Sequence, residues 1–445
     1  MHLRIEPGNP FDRKPCHNLA RSIELFAIYV FFAKFRWNCC QYAWPAVAHG
    51  TNPAGLGRIH DPPDTFASGR LAALRMEGDL SMFSRSRTVA PAQEAVPSVR
   101  RPERKLWTVA AFFFDSTGSS WLDDLIEDNE IVFRKVMPLR KSRSWHRKRS
   151  RLDSLKVWAG HLGQAARALS YRPEGVVTVF PQIAMCAGLL KRLGPVRPYI
   201  VAYTFNLGSL SSGRRQQVAR FIAPAIDLFV VHSPTEVAPY AAYFGLPESR
   251  FRFVPLQRGA PGIVREEEAD APFILAMGSA HRDYETLIAA VDRLGIPTII
   301  VTRADAAAAL PRSPHVTLKS DLSQEECLAL LARARISVTP VGNLETASGQ
   351  ITFVNAMRLG VPVVATRCPG TEGYVEDGET GLLVPPFDSD AMADAIAALW
   401  NDRDRRDGLS KQARETADRR FSDAAAAEML HELVNQVRGR GRANA

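Results

Sequence analysis

Cysteines are few in this sequence, and they follow no recognisable pattern. Six occur among 445 residues, without C-x-x-C spacing and without the density of a disulfide framework. Their scarcity excludes a disulfide-stabilised secreted domain and a cysteine-based zinc site, and it fits a reduced, cytoplasmic protein. Histidine and acidic residues do not recur at metal-ligand spacing either.

Long hydrophobic runs are also lacking. The one apolar run near the amino terminus, residues 25–33, is far shorter than the roughly 20 residues that span a bilayer, and no small-residue cleavage site follows it. We therefore expect neither a transmembrane helix nor secretion. Because residues 41–104 are rich in Pro, Gly, Ser and Arg without a sustained period, we expect residues 1–104 to be a disordered or non-native extension. A chain that begins at Met82 should then keep its activity.

Strands and helices alternate in the rest of the sequence. Short, bounded apolar runs predict buried strands near residues 107–114, 176–180, 198–204, 226–231, 273–277, 298–301, 336–341 and 361–366. Helical segments lie between them, and the alternation is interrupted by an exposed, Gly- and Glu-rich stretch at 259–268. The pattern predicts an α/β protein with two doubly wound, Rossmann-like domains, residues 105–260 and 261–422, followed by a C-terminal helix and basic tail, 423–445.

One stretch, "ASGQITFVNAMRLGVPVVAT" at residues 347–366, leads from small polar residues through a short helix into an apolar strand. Gly360 can end the helix in the left-handed conformation, so Ser348, Gly349 and Gln350 fall on its first turn. Backbone N–H groups there lack partners and the helix dipole is positive, which suits a phosphate group. An ordinary turn with Ser348 as the N-cap explains this stretch equally well.

Polar residues at other strand ends are candidates for the same site. Arg282 follows Gly278 in a strand-to-helix turn, where a guanidinium can bind a diphosphate through two hydrogen bonds. Glu345 stands where a carboxylate could receive sugar hydroxyls, and Asn355 could meet a ribose hydroxyl. Each of these three polar residues could instead face solvent.

Two longer segments resemble a known family. Residues 338–396, which contain "NAMRLGVPVV" and "DGETGLLVPP", resemble the donor-binding core of glycosyltransferase family 4, the group 1 glycosyltransferases. That family has an E-x7-E pattern followed by Ala-Met and Gly-x-Pro-Val. "GSAHRDYETLIAAV", residues 278–291, is similar to the family's glycine, basic residue and helix start. The likeness covers roughly residues 175–420.

The resemblance implies a GT-B fold, in which two Rossmann-like domains face each other across a cleft. The second domain would hold a nucleotide-diphosphate sugar and the first a glycan or lipid-linked acceptor, in a retaining hexosyl transfer that needs no metal and no other cofactor. It implies that Gly278, Ser279 and Arg282 bind the nucleotide sugar. Ser348, Gly349 and Gln350 would place the helix N-terminus at the distal phosphate and donor sugar, and Asn355 would reach the ribose.

The sequence departs from the family pattern at the two glutamate positions of E-x7-E. In register, Ala347 and Asn355 occupy the two glutamate positions of E-x7-E. We expect Glu345 to substitute for the first glutamate as a catalytic residue. Asn206 stands after a strand of the first domain where the family often has histidine, and we expect it to act as a neutral catalytic stand-in.

Charge is concentrated in one segment. Residues 134–151 carry nine Lys or Arg and no acid, with Trp145 inside and Trp158 soon after, in a chain of net charge +9. Basic residues with interfacial tryptophans suit an anionic membrane, at about 1 kcal/mol for each charge near the lipid. This favours peripheral attachment to the inner face of a membrane, as in polysaccharide or glycolipid biosynthesis. A solvated basic loop is the alternative, and nucleic acid is not expected because no binding motif accompanies the charge.

Three functions stay open from the sequence. The first is a retaining glycosyltransferase, the second a nucleotide-sugar epimerase on the same fold, and the third a non-catalytic binding or scaffold subunit. Transfer or hydrolysis of the donor distinguishes the first from the third, and isomerisation of the sugar without an acceptor identifies the second.

Overall fold

The computed structural model describes residues 104–116, 118–139 and 151–443. The expected N-terminal extension lies outside the described residues, except for Arg104. Residues 140–150, which make up most of the basic segment, also lie outside them.

The first domain is built on a parallel sheet of six strands in the order β2-β1-β3-β4-β5-β6. Its interior strands are buried on both faces, as the continuous apolar runs predict. The edge strand β2 was not expected, because its second half, with Arg134 and Lys135, belongs to the segment read as a membrane-binding surface. The strands are β1 (Lys105–Ala110), β2 (Ile131–Val136), β3 (Gly175–Val179), β4 (Tyr199–Tyr203), β5 (Leu228–Val231) and β6 (Phe251–Phe253).

The C-terminal helix, Asp423–Ala443, packs on one face of this sheet, and four helices pack together on the other. The helices are α1 (Arg151–Ser170), α2 (Pro181–Leu193), α3 (Arg214–Ile222) and α4 (Val237–Phe244). A short 3-10 turn, Pro234–Glu236, follows β5, and Ser233 caps it by accepting a hydrogen bond from Thr235 N.

The second domain repeats the architecture. Its six parallel strands run in the order β12-β11-β10-β7-β8-β9. The strands are β7 (Ile274–Met277), β8 (Thr298–Val301), β9 (Val316–Lys319), β10 (Ile336–Thr339), β11 (Val363–Thr366) and β12 (Leu382–Val384). The helices are α5 (Tyr284–Leu294), α6 (Ala304–Ala307), α7 (Gln324–Arg333), α8 (Gln350–Leu359), α9 (Ser389–Asn401), α10 (Arg403–Arg420) and α11 (Asp423–Ala443).

Helix α8 begins and ends at glycines. Gly360 has the expected left-handed conformation at the C-cap. The reading of Ser348 as the N-cap is wrong, because Gly349 is the N-cap and no side chain caps the helix. Gly349 has a φ of 95°, and a Cβ there would lie 3.1 Å from Thr339 Cγ2, so this turn favours a residue without a side chain. Asn355 is buried rather than solvent-facing, because α10 packs against α8.

Helix α11 returns from the second domain to the first. Arg438 is buried and bonds to Glu174 Oε2 at 3.0 Å and Glu130 Oε2 at 3.2 Å, both in the first domain. His431 Nε2 lies 2.5 Å from Asp128 Oδ2. The chain end therefore ties the two domains together through charged contacts as well as apolar packing. Among the described residues, no helix is long and apolar enough to cross a bilayer.

Candidate functional site

The strand order of the second sheet reverses between β7 and β10. The loops after these two strands leave in opposite directions along the sheet, and open α/β sheets bind ligands in the crevice that such a reversal creates. The loop after β7 carries Arg282, and the loop after β10 leads to the start of α8. An isolated backbone bridge between Arg282 and Val341 joins the two loops directly.

The Arg282 side chain folds back into its own loop. Its guanidinium donates to Met277 O at 3.0 Å, to Ala280 O at 2.8 Å and to Thr352 Oγ1 at 3.0 Å, the last on the first turn of α8. Burial lowers the pKa of the guanidinium. No carboxylate in the described part of the chain forms an ion pair with it. A partly buried cation without an anionic partner is unfavourable, so the site is suited to an anion.

Gly278 and Ser279 support the position of Arg282 and its loop. Gly278 has a φ of 119°, and a Cβ there would lie 2.6 Å from Arg282 Nη2, so the guanidinium occupies the space that a side chain would fill. The Ser279 hydroxyl lies 3.2 Å from Thr302 Oγ1 and accepts a hydrogen bond from Arg303 N at 3.1 Å. Ser279 thereby joins the loops that follow β7 and β8.

The start of α8 contains polar atoms that lack partners. Ser348 and Gln350 are both 2% exposed. Within the described residues, Ser348 Oγ and Gln350 Nε2 are buried and make no hydrogen bond. Gly370 packs so closely on Ser348 that a Cβ there would collide with the Ser348 carbonyl. Each unsatisfied buried group costs about 1–3 kcal/mol, so a ligand that supplies partners here would gain that energy.

Asn355 contacts the segment that connects the domains. Its Oδ1 accepts a hydrogen bond from Arg258 Nε at 3.1 Å, while its Nδ2 is buried without a partner among the described residues. The side chain therefore has one group held by Arg258 and one group available to a ligand.

Glu345 is placed differently from the buried residues of α8. Its side chain is exposed, and its backbone N–H donates to Asn343 Oδ1 at 2.7 Å. Ala347, which stands in register with the family's first glutamate, is fully buried. A carboxylate near the start of α8 can therefore come from the exposed Glu345 but not from position 347.

A second cluster lies at the carboxyl edge of the first sheet. Asn206 follows β4, and its Nδ2 donates to Glu236 Oε1 at 3.2 Å. The Tyr240 hydroxyl donates to the same oxygen at 3.4 Å. Burial raises the pKa of Glu236 to about 8. Sequence reasoning missed Glu236 and Tyr240, although the Ser-Pro-Thr-Glu stretch directly after β5 marks a capped turn at a strand end.

Hydrogen bonds connect the carboxyl edges of the two sheets. Ser233 Oγ donates to Pro369 O at 2.7 Å, next to the glycine that packs on Ser348. The Tyr374 hydroxyl donates to His232 O and accepts from Leu256 N, both at 2.7 Å. The cluster around Glu236 and the start of α8 therefore belong to one interdomain region.

The described part of the basic segment is engaged within the first domain. Lys135 is buried and pairs with Asp123 at 3.2 Å, and the Arg134 guanidinium stacks on Tyr171 at 4.6 Å. The prediction that Trp158 is an interfacial residue is wrong, because Trp158 is 5% exposed and packs in the core between α1 and the sheet.

Comparison with known sequences finds relatives of the second domain. Residues 302–416 match the family described as glycosyl transferases group 1. The chain is 28% identical over 123 residues to alpha-D-kanosaminyltransferase from Streptomyces kanamyceticus. The aligned segment covers 28% of this chain and 31% of that protein. It is 38% identical over 113 residues to D-inositol 3-phosphate glycosyltransferase from Corynebacterium efficiens, covering 25% and 26%. The chain thus spans about a third or less of the length of these two relatives.

Comparison with solved structures extends over both domains. Sucrose-phosphate synthase from Thermosynechococcus elongatus aligns with a TM-score of 0.56 at 18% identity, covering 76% of this chain and 100% of that one. The Anabaena protein HepE, crystallised with UDP and glucose, aligns with a TM-score of 0.53 at 13% identity, covering 75% and 100%. The expected α/β architecture is confirmed. We conclude that the chain has the two-domain GT-B fold and that residues 302–416 of its second domain match the group 1 glycosyltransferases.

Proposed function

We propose that this protein transfers a sugar from a nucleotide-diphosphate sugar to a hydroxyl group of a glycan or lipid-linked acceptor. The observation that carries the proposal is the Arg282 guanidinium, which lies partly buried beside the first turn of α8 without a carboxylate partner in the described part of the chain. The polar atoms of Ser348 and Gln350 that lack partners lie at the start of the same helix. A diphosphate would supply acceptors to all three groups.

This arrangement suits departure of a nucleoside diphosphate. Negative charge develops on the leaving diphosphate in the transition state, and preorganised donors in a water-poor site stabilise that charge. A guanidinium offers two parallel donors to phosphate oxygens, and the α8 N-terminus adds its uncapped N–H groups. In this mechanism Arg282 and the helix N-terminus neutralise the leaving group, so we assign the reaction no metal ion.

The remaining candidate residues take the following roles in the proposal. Asn355 Nδ2 bonds to a ribose hydroxyl, and Gly278 keeps the Arg282 guanidinium in place. Glu345, exposed before α8, stabilises the positive charge that develops on the donor sugar in a transfer with retention. Asn206, in the first domain, is the neutral catalytic stand-in for the family's histidine. Loss of all turnover in Glu345→Gln with unchanged nucleotide affinity would support this role.

The relatives suggest which donors and acceptors to examine. One relative, from Mycobacterium tuberculosis, is 33% identical over 118 residues. Its name describes a GDP-mannose-dependent mannosyltransferase that acts on phosphatidylinositol monomannoside. A second relative, from Rhizobium meliloti, is named for lipopolysaccharide core biosynthesis. Both names point to a sugar-containing lipid as the acceptor. We propose an acceptor of this class, at the inner surface of an anionic membrane.

Calorimetric titration of the full chain with UDP, GDP and ADP tests the donor site. One nucleotide should bind selectively, and Arg282→Ala should weaken it by about 10- to 100-fold, since a hydrogen bond to a charged group contributes about 1.5–3 kcal/mol. Arg303→Ala is the matched control, because Arg303 follows β8 on the neighbouring loop, is exposed and pairs with Asp305. Binding that is unaffected in Arg282→Ala would contradict the site. Selective nucleotide binding without hydrolysis or transfer of the sugar would favour a non-catalytic role.

A further inference from the structure

A carboxyl group of the first domain lies in the interdomain region with one oxygen unused. Glu236 is 4% exposed and ends the short turn after β5. Its Oε1 accepts from Asn206 and Tyr240, whereas its Oε2 is buried and makes no hydrogen bond within the described residues. An unsatisfied carboxyl oxygen in a buried position destabilises the protein unless a ligand completes its hydrogen bonding.

The two partners of Oε1 are themselves held by backbone groups. The Tyr240 hydroxyl accepts from Leu207 N at 3.0 Å, and Asn206 Oδ1 accepts from Gly208 N at 2.8 Å. The loop after β4 and the helix after β5 therefore fix the Glu236 carboxyl from two sides. A side chain locked in this way is preorganised, so binding through Oε2 would cost little conformational entropy.

The location of Glu236 connects it to the donor site. Ser233, three residues earlier, begins the same turn and bonds to Pro369 O of the second domain. Gly370 then packs directly against the backbone of Ser348 at the start of α8. Glu236 thus lies in the first domain, three residues from an interdomain contact that leads to the start of α8.

The protonation state of Glu236 defines what it can bind. The backbone N–H groups of His232 and Ser233 also face the carboxyl and lower its pKa, but burial dominates and raises it to about 8. The group is therefore largely protonated at neutral pH. Because Oε1 already accepts two hydrogen bonds, the proton belongs on Oε2, which then offers an O–H donor to an oxygen of a ligand.

Building on the proposed function, we infer that Glu236 is an acceptor-binding residue whose Oε2 pairs with a hydroxyl group of a sugar-containing acceptor. A hydroxyl can accept from the protonated carboxyl and can donate to the carboxylate, so it fits both states. The donor sugar nucleotide is assigned to Arg282 and α8 in the other domain. The role of Glu236 is therefore to orient the acceptor, separately from binding of the diphosphate.

Kinetics with simple acceptors tests this inference. Release of nucleotide from the nucleotide sugar is measured on the full chain, with methyl α- and β-hexopyranosides as acceptor probes. Glu236→Leu should raise the KM for the glycoside about tenfold or more, while the nucleotide Kd stays within twofold. Glu236→Gln should raise this KM by less than about threefold, because an amide N–H can replace the carboxyl O–H. Glu248→Leu and Glu248→Gln are matched controls, since Glu248 is exposed just before β6, at the opposite edge of the sheet.

Three results would overturn the inference. One is an unchanged glycoside KM in Glu236→Leu, and another is a parallel loss of nucleotide affinity and thermal stability, which would mark Glu236 as a structural residue. The third is failure of every glycoside to accelerate nucleotide release by the wild type. If the wild type binds no nucleotide, the proposed function itself fails. If Arg282→Ala loses nucleotide binding but the Glu236 variants behave as wild type, only the acceptor inference fails.

Discussion

Arg258 Nε lies 3.1 Å from Asn355 Oδ1, so the segment between the two domains is hydrogen-bonded to α8 at the position of the family's second glutamate. Arg258 is itself partly buried, and desolvation lowers its pKa, with the nearby Asp423 acting in the opposite direction. Asn355 thus combines a structural contact on Oδ1 with a donor, Nδ2, that has no partner among the described residues. The two roles can be separated by experiment.

Asn355→Ala should reduce affinity for a nucleoside diphosphate but leave affinity for pyrophosphate unchanged. The reason is that Asn355 Nδ2 is assigned to the ribose, which pyrophosphate lacks. Calorimetry with both ligands measures the difference, and Arg282→Ala, which should weaken both, is the comparison. An equal loss for pyrophosphate in Asn355→Ala would show that the substitution acts on the diphosphate site instead.

Gly278→Ala should weaken nucleotide binding by about tenfold. The new Cβ would lie 2.6 Å from Arg282 Nη2 and displace the guanidinium, in addition to straining a backbone φ of 119°. Gly262→Ala is the matched control, because Gly262 has a φ of 71° but no neighbouring atom within 4 Å. Both variants should lose about 1 kcal/mol or more of stability from the backbone alone, measured by thermal unfolding. Nucleotide affinity should fall only in Gly278→Ala, and equal affinities in the two variants would refute the displacement.

His232 should make stability depend on pH in the acid range. Burial lowers its pKa from 6.5 to about 4, so the unfolded chain binds more protons between these values. The contribution of His232 to the free energy of unfolding is complete above pH 6.5 and is lost as the pH falls toward 4, by up to about 3 kcal/mol.

His232→Asn removes this titration while keeping a donor near Val254 O, to which His232 Nδ1 now bonds at 2.7 Å. The stability advantage of the wild type over His232→Asn should therefore shrink between pH 7 and pH 4.5, as measured by urea unfolding at each pH. Titration of Glu236 and Asp123 affects both proteins alike and cancels in the difference. An advantage that does not change with pH would show that His232 does not remain neutral in the folded protein.

Arg438→Ala should destabilise the protein by about 2–3 kcal/mol. Arg438 is buried, and its loss leaves the partly buried Glu174 carboxylate with Trp107 Nε1, at 2.9 Å, as its one remaining side-chain donor in the described part of the chain. Arg405→Ala, at an exposed site on α10, should change stability by less than about 0.5 kcal/mol. Urea unfolding of both variants measures the difference. If Arg438→Ala were as mild as the control, α11 would be held by its apolar contacts alone.

Several elements of the second domain could be predicted closely from the sequence. Strands β7 and β8 lie at the expected residues, and Gly360 ends α8 in the expected left-handed conformation. These features depend on residues close together in the chain, where periodicity, caps and glycines act locally. The family likeness was clear here for the same reason, because its motifs are continuous stretches.

The candidate site was predicted less completely. Arg282 and the start of α8 were identified because each follows a predicted strand, and the strand order then brings them together. Glu236 and Arg258 were missed, and Trp158 was assigned to a surface although it is buried. The contacts of these three residues are made with segments distant in the sequence, so no local pattern reports them.

The sequence by itself determined the alternation of strands and helices, the glycine that ends α8 and the basic residue after β7, because these follow from local propensity and spacing. Only the tertiary structure decided that Arg282 bonds to Thr352, that Asn355 contacts Arg258, and that the Glu236 carboxyl is enclosed with one oxygen lacking a partner among the described residues. The physical reason is that hydrogen-bond partners and desolvation depend on which loops the sheet order places side by side, and those loops lie tens of residues apart in the chain.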